Sequence, residues 1–199
     1  ADGLRLVRRR GELMKYAGEI APGGMAAILG VDILVLEQIC AQASTTAEIV
    51  QVANDNCPGQ VVISGAMPAL ERALDLAKAA GARRAVPLAV SIAAHSPLMA
   101  AVQAEFAASV ADAAITEAGT PVVGNVQATP LATIADIQAD LSAQLTSRVR
   151  WTESIQFLID QGVTTFVELG SRNVLTGLLR RIDRSVKGFS LGEPKDFQG

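Results

Sequence analysis

The sequence predicts an α/β protein, and three observations support this prediction. Half of the 199 residues are apolar and 19% are charged, a composition that favours a folded core over disorder. Short apolar runs typical of strands alternate with longer stretches of helical periodicity. The single histidine, His95, follows an apolar run at residues 85–92 that predicts a buried strand, and Ser96-Pro97 predicts a helix start. His95 therefore lies where a strand meets a helix N-terminus, a common position for chemistry in open α/β sheets.

The first 22 residues contain one predicted amphipathic helix, at residues 3–16. On its helical wheel, Arg10 is the charged residue that falls within the apolar arc. A guanidinium directed at a core needs an anionic partner, because burying an unpaired charge is costly. Two interpretations follow: a buried ion pair with a carboxylate of the protein, or a binding group for a substrate carboxylate.

Residues 23–87 show the order β-α-β-β-α-β, which predicts a ferredoxin-like small subdomain. Asp32 is the predicted N-cap of its first helix, and Pro68 begins its second. Between the two middle strands, residues 54–60 (Asn-Asp-Asn-Cys-Pro-Gly-Gln) predict a loop, since these residue types favour turns. The predicted strands cover residues 25–31, 48–53, 60–64 and 82–88, and the predicted helices cover residues 32–43 and 68–81.

Residues 88–199 are predicted to join residues 1–22 in a larger α/β subdomain. Thr133 with Asp136 predicts a capping box, and Thr152 is a second predicted N-cap. The predicted helices cover residues 96–114, 133–145, 152–161 and 173–182, and the predicted strands cover residues 121–125, 164–169 and a short segment near Phe189.

The composition excludes several classes of function. The net charge of −3 and the scattered basic residues argue against nucleic acid as a partner. No apolar run reaches the roughly 18 residues of a membrane span, and no signal peptide opens the chain. One histidine and two cysteines, Cys40 and Cys57, provide neither metal-ligand spacing nor a disulfide framework. We therefore expect a soluble, cytoplasmic protein without a metal, nucleic-acid or membrane partner.

His95 has a catalytic and a structural interpretation. As the only imidazole it would be the general base of an acid–base enzyme. The positive end of the following helix would then disfavour the imidazolium and keep the ring neutral. Alternatively, His95 is a loop histidine held by packing.

Six segments, in a shared order and spacing, resemble the malonyl-CoA:acyl-carrier-protein transacylase family and its acyltransferase relatives in polyketide synthases. The segments are Arg-Gly-Glu-Leu-Met at 10–14, Gly-Met-Ala-Ala-Ile-Leu-Gly at 24–30, the stretch 54–65, His-Ser-Pro-Leu-Met at 95–99, the stretch 144–152 and Val-Leu-Thr-Gly-Leu at 174–178.

The resemblance implies transfer of malonyl from coenzyme A to the phosphopantetheine thiol of acyl carrier protein, with an acyl-serine intermediate. It implies no cofactor besides the coenzyme A thioester that serves as substrate. The fold it implies is an α/β-hydrolase-like parallel-sheet core, of which this chain would be the C-terminal part, with the ferredoxin-like subdomain inserted. The implied site residues are His95 as the base, Gln144 as the residue whose backbone carbonyl orients the imidazole, Arg10 as the ligand of the malonyl carboxylate, and Asn54, Asn56 and Gln60 as polar contacts in the cleft between subdomains.

The nucleophile is expected outside these residues. The family's serine lies in a Gly-x-Ser-x-Gly elbow, expected upstream of the Arg10 helix together with the oxyanion donors. Gly188-Phe189-Ser190-Leu191-Gly192 matches that motif, but Pro194 breaks any helix after Ser190, and an elbow serine requires one. The alternatives are a polyketide-synthase acyltransferase domain, an acyl hydrolase, or a non-catalytic fragment that binds coenzyme A or a carrier protein.

Overall fold

A computed structural model describes residues 2–197 of the chain. Within this range the elements, in chain order, are α1 (Asp2–Ile20), β1 (Gly23–Leu29), α2 (Ile33–Ala43), β2 (Val50–Cys57), β3 (Gln60–Ala66), α3 (Met67–Ala79), β4 (Arg84–Pro87), α4 (Ala100–Ala111), α5 (Ile134–Ala143), β5 (Val149–Arg150), α6 (Trp151–Asp160), β6 (Thr165–Leu169), α7 (Val174–Ile182) and β7 (Lys187–Leu191). The predicted α/β class is confirmed.

The strands form one mixed sheet of five strands and one separate pair. The large sheet has the order β4-β1-β3-β2-β5, in which β1 pairs with β3 and β4, and β2 with β3, all antiparallel. The two-residue strand β5 adds parallel to β2, with Asn54 opposite Val149 and Asp55 opposite Arg150. Strands β6 and β7 pair parallel with each other.

Each face of the large sheet packs on its own helices, because alternate residues of a strand point to opposite sides. One face contributes Ile28 and Ile63 to a core completed by α2 and α3. The opposite face contributes Met25 and Val62 to a second core with α1 and α4. Residues 93–99, which contain the histidine, border this second core.

Leu36 and Leu34 on α2 provide a matched test of the first core. Leu36 is fully buried, whereas Leu34 is 66% exposed. We expect Leu36→Ala to lower the free energy of unfolding by about 2–5 kcal/mol, because it removes buried methyl groups and leaves a cavity. Leu34→Ala is expected to change it by less than about 0.5 kcal/mol. Urea denaturation measures both variants, and equal effects would contradict the assignment of the core.

Several local predictions are confirmed. Asp32 caps α2 by accepting a hydrogen bond from Leu34 N at 2.8 Å. Thr133 and Asp136 form the predicted capping box of α5. Ser96 is an N-cap as predicted, but the element it caps is a 3₁₀ turn at Pro97–Met99, and α4 begins only after it.

The strand predicted at residues 82–88 is present at Arg84–Pro87, but the prediction of a buried strand continuing to residue 92 is wrong. Strand β4 ends at Pro87, and Val86, Leu88 and Val90 are 36–45% exposed. Leu88 and Val90 follow the end of β4 and belong to no strand.

The predictions of a strand at residues 121–125 and of an N-cap at Thr152 are also wrong. Residues 122–131 fold back on themselves, with Gly124 N donating to Thr129 O, and only Val123 forms an isolated bridge. Helix α6 begins directly after β5, which makes Arg150 its N-cap residue. The Thr152 hydroxyl donates instead to Asp55 Oδ1 at 2.8 Å.

The separate β6–β7 pair leaves several apolar side chains exposed. Val167 is 51%, Leu169 73% and Phe189 52% exposed. Among the helices of residues 2–197, none is long and apolar enough to cross a membrane.

Candidate active site

His95 adopts an unusual backbone conformation between β4 and the 3₁₀ turn. Its φ is 58°, in the left-handed region that non-glycine residues rarely occupy unless their surroundings hold them there. The flanking Ala94 and Ser96 are buried. The Ser96 hydroxyl donates to Ala93 O at 2.7 Å and accepts from Leu98 N at 3.3 Å, which fixes the turn around the histidine.

The imidazole of His95 is oriented by two backbone carbonyls from the end of α5. Its Nδ1 lies 2.8 Å from Gln144 O and 3.1 Å from Ser147 O. A carbonyl oxygen only accepts, so Nδ1 carries the hydrogen and Nε2 of the neutral ring keeps its lone pair. The contact that the sequence resemblance implied for Gln144 is present, and Nε2 is the nitrogen able to accept a proton. The catalytic roles of both residues stay predictions.

Burial is the main reason why the pKa of His95 is lowered. The hydrogen bond to Gln144 O opposes this lowering of the pKa, the positive charge of Arg10 adds to it, and the hydrogen bond to Ser147 O opposes it again, so that burial prevails. The sequence predicted that the positive end of a following α-helix would keep the imidazole neutral. The structure has only a 3₁₀ turn at Pro97–Met99 in that place, and burial is the main cause instead. Since a free imidazole has a pKa of about 6.5, His95 is neutral at pH 7.

The single histidine allows this pKa to be measured without ambiguity. We expect the NMR titration of His95 to have its midpoint below about 6.5. Because the unfolded chain then binds a proton more readily, stability falls as the pH drops through about 6.5 toward the lower folded pKa. Arg10→Gln should raise the midpoint by removing a nearby positive charge. Arg8→Gln, at an exposed arginine paired with Glu12, should leave it unchanged. A midpoint above 6.5 in the unaltered chain would contradict this account.

Arg10 is half-buried on α1 and has no carboxylate partner in residues 2–197. Its neighbours on the same helix are paired: Arg5 with Asp2, Arg8 with Glu12, and Arg9 with Glu12 and Glu105. Burial lowers the pKa of the Arg10 guanidinium, which still stays charged. The ion pair within the protein, one of the two interpretations of Arg10, is therefore absent from the described residues. The fork of N–H donors remains available for a ligand carboxylate.

The predicted loop at residues 54–60 is mostly strand, so that prediction is wrong. Strand β2 continues to Cys57, and only Pro58-Gly59 forms the turn. Two register shifts in the β2–β3 pairing, between Val52 and Asn54 and between Asp55 and Cys57, accommodate the extra residues. Such bulges redirect side chains along a strand that continues.

The three amide side chains predicted to line the cleft, those of Asn54, Asn56 and Gln60, have different surroundings. Asn54 and Asn56 are half-buried on β2, and Asn54 lies opposite Val149 of β5. Gln60 opens β3, and its Oε1 accepts a hydrogen bond from Arg181 Nη1 of α7 at 2.5 Å. Within residues 2–197 no hydrogen bond joins any of the three amides to His95. The structure thus brings His95, Gln144 and Arg10 together, and the roles of the amides stay predictions.

Ser190 is engaged elsewhere. Thr176 Oγ1 donates to Glu168 Oε2 and lies 2.8 Å from Ser190 Oγ, so the serine hydroxyl donates to the threonine. Glu168 also accepts from the backbone N–H groups of Leu175 and Thr176 at the start of α7. No hydrogen bond between Ser190 and His95 occurs in the described part of the chain.

Gln51 and Ser147 are contacts of His95 that the sequence did not indicate. Gln51 on β2 donates to the His95 backbone carbonyl, and Ser147 acts through its own carbonyl. Gln51 lies between two valines, an alternation found in any half-buried strand, so the sequence does not distinguish it. The contact of Ser147 uses a backbone carbonyl, which every residue has, so no residue type indicates it. No cluster of His, Cys, Asp and Glu side chains suited to a metal ion is found in residues 2–197.

Comparison with known proteins gives consistent results. The model of the family described as acyl transferase domain matches residues 1–191. The malonyl CoA-acyl carrier protein transacylase of Bacillus subtilis is 44% identical over 198 residues, which cover 99% of this chain and 62% of that protein.

The solved structures agree with the sequence relatives. The crystal structure of malonyl-CoA:acyl carrier protein transacylase from Xanthomonas oryzae superposes with a TM-score of 0.94 at 40% identity, over 100% of this chain and 63% of that one. A malonyl-transacylase in complex with a type II polyketide-synthase acyl-carrier protein gives a TM-score of 0.93 at 38% identity, over 96% and 62% of the two chains. This chain therefore spans less than two thirds of the length of the proteins it resembles.

Proposed function

Since the chain belongs to the acyl transferase domain family, we propose that it is part of an enzyme that transfers malonyl from coenzyme A to acyl carrier protein. The observation that carries the proposal is that a half-buried Arg10, without a carboxylate partner in residues 2–197, is near enough to lower the pKa of His95, a ring whose Nε2 is unprotonated when it is neutral. An arginine fork suits the free carboxylate of a malonyl group, which an acetyl group lacks. The similarity to malonyl CoA-acyl carrier protein transacylases, one of them in complex with an acyl-carrier protein, supports the choice of substrates.

In the proposed reaction His95 moves one proton in each half. A serine oxygen attacks the thioester carbonyl of malonyl-CoA and gives its proton to Nε2 of His95. The carbon–sulfur bond then breaks, and the imidazolium returns the proton to the departing coenzyme A thiol. In the second half, His95 deprotonates the phosphopantetheine thiol, whose sulfur attacks the acyl-serine. The serine oxygen leaves with the proton from His95, and no cofactor is consumed.

We place the nucleophilic serine in the part of the family that this chain does not match. The coverage of 62% of the Bacillus subtilis relative supports this placement. The hydrogen bond from Ser190 to Thr176 supports it as well, since a serine held by a threonine has no general base.

We also propose the finer organisation of the fold. The antiparallel order β4-β1-β3-β2 with α2 and α3 supports a ferredoxin-like small subdomain at residues 23–87. Residues 1–22 and 88–199 would belong to an α/β-hydrolase-like core, to which the parallel β6–β7 pair contributes. The free, buried Cys40 and Cys57 suit the reducing conditions of the cytoplasm.

A chimera tests the function directly. In this chimera, residues 1–199 replace the matching segment of the Bacillus subtilis relative, and radiolabelled malonyl-CoA is supplied with acyl carrier protein. We expect the chimera to label the carrier protein and the 199-residue chain alone to acquire no label. Labelling of the chain alone that disappears in Ser190→Ala would overturn the placement of the nucleophile. A chimera that binds malonyl-CoA without transferring malonyl would indicate the non-catalytic alternative.

A further inference from the structure

Gln51 makes two hydrogen bonds that converge on the histidine. From its half-buried position on β2, its Nε2 donates to His95 O at 2.8 Å and to Thr146 O at 3.2 Å. A side-chain amide nitrogen has two hydrogens, and the two carbonyls use both.

The two carbonyls belong to the two segments that meet at the imidazole. His95 carries the ring. Thr146 lies between Gln144 and Ser147, whose carbonyls accept from Nδ1. One side chain therefore connects the backbone that carries the ring to the turn that orients it.

Strand β2 holds the same turn at a second point. Three residues after Thr146, Val149 of β5 pairs with Asn54 of β2. The segment 144–150 thus contacts β2 at two points, through the hydrogen bond from Gln51 to Thr146 O and through the pairing of β5 with β2. The β5 pairing alone does not reach His95, whereas Gln51 does.

The conformation of His95 makes such support necessary. A non-glycine residue in a sparsely populated backbone region is strained and persists only when its surroundings enforce it. The bond from Gln51 to the His95 carbonyl acts on the residue that bears this strain, whose φ is 58°.

We propose that Gln51 is a positioning residue that holds His95 against the 144–147 turn, and so keeps the ring hydrogen on Nδ1 and the lone pair on Nε2. Its importance for catalysis rests on the proposed function, but its effect on the tautomer does not.

The tautomer of His95 is directly observable, because the chain contains one histidine. Nitrogen-15 NMR of the imidazole, recorded above the pH of its titration, distinguishes the protonated ring nitrogen from the unprotonated one. We expect the unaltered chain to show the Nδ1–H form and Gln51→Met, similar in size but without donors, to show a mixture of the two tautomers. Gln103→Met is the matched control. Gln103 Nε2 donates to Ser142 O near the end of α5, the helix that precedes the 144–147 turn, and it makes no hydrogen bond to His95. A pure Nδ1–H form in a folded Gln51→Met would overturn the proposal.

A second measurement needs no variant, in case Gln51→Met does not fold. The through-hydrogen-bond coupling between Gln51 Nε2 and the carbonyl carbon of His95 should be detectable in the unaltered chain, and its absence would overturn the proposal. In the chimera, Gln51→Met should lower kcat about tenfold or more with little change in KM for malonyl-CoA, because a misplaced base slows the chemical step. If the chimera that keeps Gln51 transfers no malonyl, while Gln51→Met changes the tautomer as expected, the proposed function fails and the positioning role of Gln51 stands.

Discussion

Replacing His95 with alanine is expected to lower the rate of malonyl transfer by the chimera about 10²–10⁴-fold, the usual contribution of a general base. The ring is the only imidazole of these residues, and its Nδ1 is occupied by the Gln144 and Ser147 carbonyls. In the proposed reaction, the remaining nitrogen, Nε2, is therefore the one that accepts the serine and thiol protons. Labelling of acyl carrier protein with radiolabelled malonyl, followed over time, measures the rate.

Ser147→Ala is the matched control for His95→Ala. Ser147 contacts the imidazole through its backbone carbonyl, which alanine keeps, so this variant should retain a rate close to that of the unaltered chimera. A His95→Ala chimera that stays within a few-fold of the unaltered rate would show that the base lies elsewhere. The histidine would then be the packed loop residue of the structural interpretation.

Replacing Arg10 with alanine is expected to change the choice of acyl group. Hydrogen bonds to a charged group contribute about 1.5–3 kcal/mol, so kcat/KM for malonyl-CoA should fall by about 10–150-fold. The rate with acetyl-CoA should change little, since acetyl has no carboxylate for the guanidinium to bind. Competition between malonyl-CoA and acetyl-CoA for the same carrier protein measures the ratio of the two kcat/KM values.

Two further variants separate recognition of the carboxylate from a general effect of charge. Arg10→Lys keeps the positive charge but cannot bind a carboxylate in the bidentate geometry of a guanidinium. It should therefore retain a higher malonyl rate than Arg10→Ala, but a lower one than the unaltered chimera. Arg8→Ala removes an exposed arginine of the same helix, paired with Glu12, and should leave the ratio unchanged. An equal loss with both thioesters in Arg10→Ala would assign Arg10 a structural role and remove the main support for malonyl as the substrate.

The success of the sequence predictions depends on how local each feature is. The Asp32 cap and the Thr133–Asp136 capping box involve residues two to three positions apart, and both are present. The helical wheel of α1 placed Arg10 on the buried side because a single helix determines that direction. The strand predicted at residues 85–92 is present only as far as Pro87, where β4 pairs with β1, and the strand predicted at 121–125 is absent. A strand needs a neighbour to pair with, which an apolar run alone does not indicate.

By itself, the sequence indicated the candidate site residues and where most elements begin. The single histidine, the apolar-face arginine and the order of motifs are properties of the chain that need no coordinates. Only the tertiary structure determined the tautomer of His95 and the contacts that orient its ring. The tautomer of His95 depends on a carbonyl 49 positions away, and its backbone carbonyl is held by Gln51, 44 positions away. These contacts use backbone carbonyls as acceptors, and one of their donors is a glutamine on an ordinary strand. No local sequence pattern therefore marks them, and only the packing of distant segments brings them together.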